Sequence, residues 1–157
     1  MELRGLTDEE RDWVEQVMVE RWKAPTVVSR GRVHRPRELA GLVVLDGERR
    51  VGLLTYRVEG DSCEVVTLDA LVEGAGVGTM LLDAAAEAAR SAGCRRLWVI
   101  TTNDNVHALR FYQRRGFALA ALHRDAVTKA RRLKPEISLV GEHGIPIRDE
   151  LELERLL

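Results

Sequence analysis

Three glycines spaced two apart, Gly74, Gly76 and Gly78, stand where the hydrophobic period of this chain changes. Before them, residues 41–46, 50–58 and 62–71 are rich in Val, Leu and Thr, and Asp46-Gly47 and Gly60-Asp61 separate them. That pattern predicts three strands joined by hairpin turns. After them, Val77, Met80, Leu81, Ala84, Ala85, Ala88 and Ala89 follow a 3.6-residue period, which predicts a helix closed by Gly93 at C′. A chain that leaves antiparallel strands through a glycine turn directly into a helix must stack helix on sheet.

The remaining segments extend this plan. Thr7 with Glu10 is a capping-box pattern, and Trp13, Val14, Val17, Met18 and Trp22 recur at helical spacing, so a first helix is expected over 8–23, stopped by Pro25. Residues 26–40 show no clear period and hold a basic cluster, Arg30, Arg32, His34, Arg35 and Arg37. Residues 97–101 are a continuous apolar run between helices, as in a buried parallel strand. Asn105 and Gly116 bracket a short helix, and residues 117–123 read as a strand. Residues 124–134 allow a short helix inside a 26-residue connection, 124–149. In 150–155, Glu150, Glu152 and Glu154 alternate with Leu151 and Leu153, a strand with one wet face. The expected fold is α/β: a mixed, mostly antiparallel sheet with a central parallel strand pair and helices on both faces, in a single domain over 1–157.

Glycines at such a turn adopt positive φ and let backbone N–H groups converge, and the helix adds its unpaired N–H groups and positive dipole end. The turn is therefore suited to a phosphate or pyrophosphate. It is not a dinucleotide fingerprint, because Thr79 stands where GxGxxG needs glycine and the preceding strands are hairpin-linked. It is not a Walker A loop, because the Gly-Lys-Ser/Thr ending is absent. A glycine-rich connector that binds nothing stays open at this point.

The second constellation runs from Asn105 to Phe117. Asn105 caps the helix, and closure at Gly116 brings Phe117 at C″ near Tyr112 at C3. Together the two segments resemble the GNAT superfamily of acyl-CoA-dependent N-acyltransferases. The family's first motif, Gln/Arg-x-x-Gly-x-Gly/Ala, reads here Glu73-Gly-Ala-Gly76-Val-Gly78. The second, Asn-x-x-Ala-x-x-Phe/Tyr-Tyr-x-x-x-Gly-Phe, is filled by Asn105, Ala108, Phe111, Tyr112, Gly116 and Phe117. One residue departs: Glu73 replaces Gln or Arg and cannot donate to a pyrophosphate, so its side chain is expected to turn away or cap the helix.

The resemblance implies acetyl-CoA as co-substrate, an amine of a small molecule or peptide as acceptor, and no metal. It implies a strand splayed at a bulge, with Leu68, Asp69 and Ala70 along the pantetheine arm and backbone groups of Leu68 and Ala70 pairing with it. Gly74, Ala75, Gly76, Val77, Gly78 and Thr79 would hold the pyrophosphate, and Asn105, Ala108 and Tyr112 would meet the rest of the cofactor. It assigns Tyr112 the protonation of the departing thiolate. Glu64 is the first candidate for general base, on the face of Leu68 if no bulge intervenes. Asp69 and His34 follow it, and His107 is placed on the solvent side of its helix. The alternatives are a non-catalytic acyl-CoA-binding or regulatory domain of the same fold, and a nucleotide-binding structural module.

Lys plus Arg (24) nearly balance Asp plus Glu (25), for a net charge of −1, which gives no long-range field for nucleic acid. Cys63 and Cys94 read as reduced thiols, no Cys/His spacing suggests metal, and the N-terminus lacks a signal-peptide h-region. No apolar run reaches the roughly 20 residues of a membrane span. A cytoplasmic protein without nucleic-acid or membrane partners is expected, with a homodimer left open.

Overall fold

A computed structural model describes residues 1–157. The strands are β1 (Glu2–Gly5), β2 (Val27–Ser29), β3 (Arg32–His34), β4 (Ala40–Asp46), β5 (Arg49–Glu59), β6 (Ser62–Ala70), β7 (Arg96–Thr102), β8 (Ala118–His123) and β9 (Glu150–Leu156). The helices are α1 (Arg11–Trp22), α2 (Val77–Ser91), α3 (Val106–Gln113) and α4 (Ala126–Ala130). Seven strands form a mixed sheet with one parallel pair, in the order β1-β4-β5-β6-β7-β9-β8, while β2 and β3 make a separate hairpin. The expected mixed α/β class is the observed one. No helix is long and apolar enough to cross a membrane.

The residues gather into two compact units. The first comprises Met1–Val27, Arg35–Leu97 and Leu157. Here β4, β5 and β6 form the expected antiparallel meander, turning at Gly47-Glu48, one residue later than the sequence suggested, and at Gly60-Asp61. Helices cover both faces of this meander. On one side Val14 and Val17 of α1 pack on Leu53 of β5, and Met18 packs with Val66 of β6. On the other side a Cβ built on Gly52 would lie 2.4 Å from Cγ1 of Val77, so the missing side chain lets the head of α2 sit directly on β5.

Entry into α1 depends on one carboxylate. Glu10 is 1% exposed and accepts two hydrogen bonds from Arg4 at 2.7 Å, one from the Thr7 N–H at 2.9 Å and one from Arg50 at 3.2 Å. The Arg4 guanidinium holds its pKa down at about 2, with the Thr7 N–H and Arg50 adding to the effect. A depressed carboxylate stabilises the fold fully above its unfolded pKa and loses that contribution as pH falls through its folded pKa. Stability should therefore drop between about pH 4.5 and 2. Glu10→Gln should cost about 2–3 kcal/mol at pH 7 and flatten that acid limb, read by urea unfolding at several pH values.

The second unit comprises Val28–His34 and Trp98–Leu156. Its long connection is tied down by side-chain-to-backbone bonds. Asn103 Oδ1 accepts from the N–H groups of Arg148 and Asp149, Asp104 accepts from the Glu142 N–H, and Arg131 donates to the carbonyls of Ile137 and Ile147. β8 and β9 pair antiparallel. The expected wet face of β9 is corrected: Glu150 is 3% exposed and ion-paired to Arg30, and Glu152 is bonded to His123 at 2.9 Å. Alternation located the strand, but its carboxylates are partnered rather than solvated.

Candidate functional site

In the first unit the candidates lie along β6 and the turn that follows it. Leu54, Thr55 and Tyr56 of β5 stand opposite Leu68, Thr67 and Val65, so Val66 is an extra residue and β6 carries a bulge there. A bulge reverses the alternation, and this corrects the expected placing of Glu64. Leu68 lies opposite Leu54, on the side of Gly52 and α2. Glu64 lies opposite Arg57, on the side of Leu53 and α1. Glu64 is 7% exposed.

Asp69 shares the α1 side, opposite Leu53. Its carboxylate accepts from Nε1 of Trp22 at 3.1 Å and from Nε of Arg21 at 3.2 Å, and burial pushes its pKa up. As a side chain it anchors the end of α1. The backbone of β6 divides by parity. The Leu71 N–H donates to the Val51 carbonyl at 2.9 Å, so the odd-numbered residues after the bulge turn their polar groups toward β5. Those of Leu68 and Ala70 point to the other edge of the strand.

Beyond β6 the chain turns through Gly74 (φ 70) and Gly76 (φ 73), both left-handed and open, with nothing within 4 Å of a built Cβ. Gly76 is the N-cap of the fifteen-residue α2 and offers no side-chain cap to its first turn. Glu73 is exposed and does not cap the helix, so of its two expected arrangements it takes the outward one. Ala75 is exposed, Val77 and Gly78 are buried, and Thr79 is in the first turn of α2. The result is a glycine-rich run of main chain at the positive end of a helix dipole, chemically suited to an anion.

In the second unit Asn105 and Tyr112 occupy the two ends of α3. Asn105 Oδ1 accepts from the Ala108 N–H at 3.0 Å, which caps the helix and leaves the amide group as a donor. Gly116 (φ 86) closes it. The Phe117 N–H donates to the Tyr112 carbonyl at 3.1 Å, and the Gly116 N–H donates to that of Gln113 at 3.3 Å. Tyr112 is 7% exposed, edge-on to Phe111 (centroids 5.3 Å apart) and Phe117 (5.4 Å). His107 is exposed, as expected, and His34 is buried, with its pKa lowered by burial and by Arg32.

Cys63 is buried, and burial pushes its pKa up to about 12, so it offers no thiolate at neutral pH. The sequence reading missed Gly52, although a lone glycine inside an apolar strand is itself a signal of close approach. It also left residues 26–40 unassigned, where the structure has the β2–β3 hairpin. Of the basic cluster in that stretch, Arg37 is spent on Asp12 and Glu15, and Arg30 on Glu150.

The sequence model of the Acetyltransferase (GNAT) family matches residues 6–117. The uncharacterized protein YxbD of Bacillus subtilis (strain 168) is 43% identical over 148 residues, covering 94% of this chain and 93% of that one. Among solved structures, the IAA acetyltransferase from Bacillus cereus ATCC 14579 superposes with a TM-score of 0.75 over 99% of both chains, at 22% identity. A GNAT family acetyltransferase from Elizabethkingia anophelis, solved with acetyl-CoA bound, gives 0.71 over 99% of this chain and 97% of that one, at 14% identity. At these identities the structural likeness is one of fold.

Proposed function

The chain belongs to the acetyltransferase (GNAT) family, and from that premise we propose that it is a single-domain cytoplasmic N-acetyltransferase. Its substrates are acetyl-CoA and a primary amine on a small molecule or peptide. The observation that carries this reading is the β6–α2 turn, where two left-handed glycines lead into a helix whose first turn no side chain caps. A pyrophosphate accepts hydrogen bonds from such N–H groups and is favoured by the dipole. The backbone groups of Leu68 and Ala70, at the strand edge away from β5, suit the amides of a pantetheine arm as a substitute strand. In the second unit the Asn105 amide, still free to donate, and the backbone at Ala108 are the proposed cofactor contacts of α3.

The amine nitrogen attacks the thioester carbonyl directly. A C–N bond forms, the C–S bond breaks, and no acyl-enzyme is needed. Two protons must move. An alkyl ammonium has a pKa of about 10.4 and must lose its proton, and a thiolate, from a thiol with a pKa of about 8.5, leaves more readily when it gains one. Tyr112 supplies the second proton. Glu64 takes the first, directly or through water; the Asp69 carboxylate accepts from Arg21 and Trp22.

Acetyl-CoA should raise the melting temperature, and release of free thiol should depend on an added amine from a panel of amino acids, phosphorylated amines, polyamines, aminoglycosides and peptides. Cofactor binding with no turnover on any amine would indicate the non-catalytic acyl-CoA-binding alternative. Glu64→Gln keeps size and removes the base, so the low-pH limb of kcat/KM should shift or flatten. An unchanged profile would move the role to Asp69, His34 or water.

A further inference from the structure

The second unit holds a cavity of about 640 Å³ lined by Arg30, Arg124, Lys129 and Arg132, in a chain whose net charge is −1. No Asp or Glu lines it. Two carboxylates on β9 brace its wall: Glu150 holds the Arg30 guanidinium at 3.2 Å, and Glu152 holds the ring of His123 at 2.9 Å. Asp149, itself paired with Arg148, acts on Arg124. Arg30 sits in the left-handed region (φ 50), followed by Gly31 (φ 75), at the tip of the β2–β3 hairpin. Asn or Gly would take that conformation more easily, and the Arg30 N–H is fixed there by the same Glu150 oxygen at 3.2 Å. Leu122 and Leu133, both more than half exposed, supply the apolar part of the lining.

We infer that this cleft recognises a carboxylate or phosphate on the acceptor, so that the substrate is an amine carrying a negative charge. The inference rests on the acyltransferase reading above. Guanidinium and ammonium groups are the natural partners of such anions. The same cations repel polycationic acceptors.

The test compares matched acceptors, glycine with methylamine and O-phosphoethanolamine with ethanolamine, on the wild type and on the Lys129→Gln/Arg132→Gln double variant. The expected result is a lower KM for the anionic member of each pair. The double variant should raise that KM at least 10-fold while raising the neutral member's less than 2-fold. Equal changes in both members, or a wild-type preference for spermidine, would overturn the inference. So would a loss of CoA affinity without a matching loss for dephospho-CoA, which would give the cleft to the cofactor's 3′-phosphate. If no amine is turned over, the acyltransferase reading fails first, and inorganic phosphate then decides the cleft by NMR. Phosphate-dependent shifts of the 122–133 amides in the wild type, lost in the double variant, keep the anion site; their absence removes it.

Discussion

Tyr112→Phe is expected to lower kcat by at least ~10-fold, toward the 10²–10⁴ of a positioned general acid where water cannot substitute. The substitution is confined to one oxygen. The ring stays edge-on between Phe111 and Phe117, and the backbone carbonyl that closes α3 does not change. The unfolding free energy should therefore move by no more than about 1 kcal/mol, the worth of a single hydrogen bond, and CoA affinity should persist. Steady-state kinetics with a competent acceptor, chemistry being rate-limiting, provides the measurement. Equal kcat in the two proteins would reduce Tyr112 to a packed aromatic.

Gly76→Val should abolish the thermal stabilisation by CoA. At 100 times Kd that stabilisation is about 2.7 kcal/mol for the wild type. A built Cβ at Gly76 meets no neighbour, so crowding of the protein is not the cause of the loss. A β-branched residue resists φ 73, and relaxing that strain, about 1–3 kcal/mol, would turn the N–H groups of the turn out of line. Gly47→Val is the control. Gly47 also has positive φ (64) and open space, but it lies in the β4–β5 turn, so its variant should lose similar stability and keep the CoA response. Retained CoA affinity in folded Gly76→Val would remove the turn as the phosphate site.

Features encoded locally were legible in the sequence. The period change across residues 71–77 located β6, the turn and α2. The cap at Asn105 and the C′ glycine at 116 were readable because each depends on one residue type and one backbone conformation. Features set by partners distant in sequence were not. β1 is four residues without alternation, and it becomes a strand only by pairing with β4. Arg30-Gly31 lacks the Asn-Gly or Asp-Gly signature of a tight hairpin, so β2 and β3 went unseen. Glu150 looked solvated because its ion-pair partner is 120 positions away. The candidate residues were identified by motif, but the face of Glu64 depended on a bulge that no local pattern announces.

The bulge at Val66 also governs which length changes this strand can tolerate. Losing one residue from a loop such as 134–140 shortens a path, and the neighbouring bonds can adjust. Losing the extra residue at position 66 would leave Val65 beside Thr67 on opposite sides of the strand, as plain alternation requires, so every side chain from Ser62 to Val65 would keep its face. Losing the bulge without losing a residue would instead turn Glu64 toward the α2 side, and Cys63 and Val65 toward the α1 side. A homologous chain one residue shorter at this point should accordingly keep the faces of β6. A relative of equal length whose β6 runs without the bulge would mark a protein whose carboxylate at this position has been retired or replaced from another element.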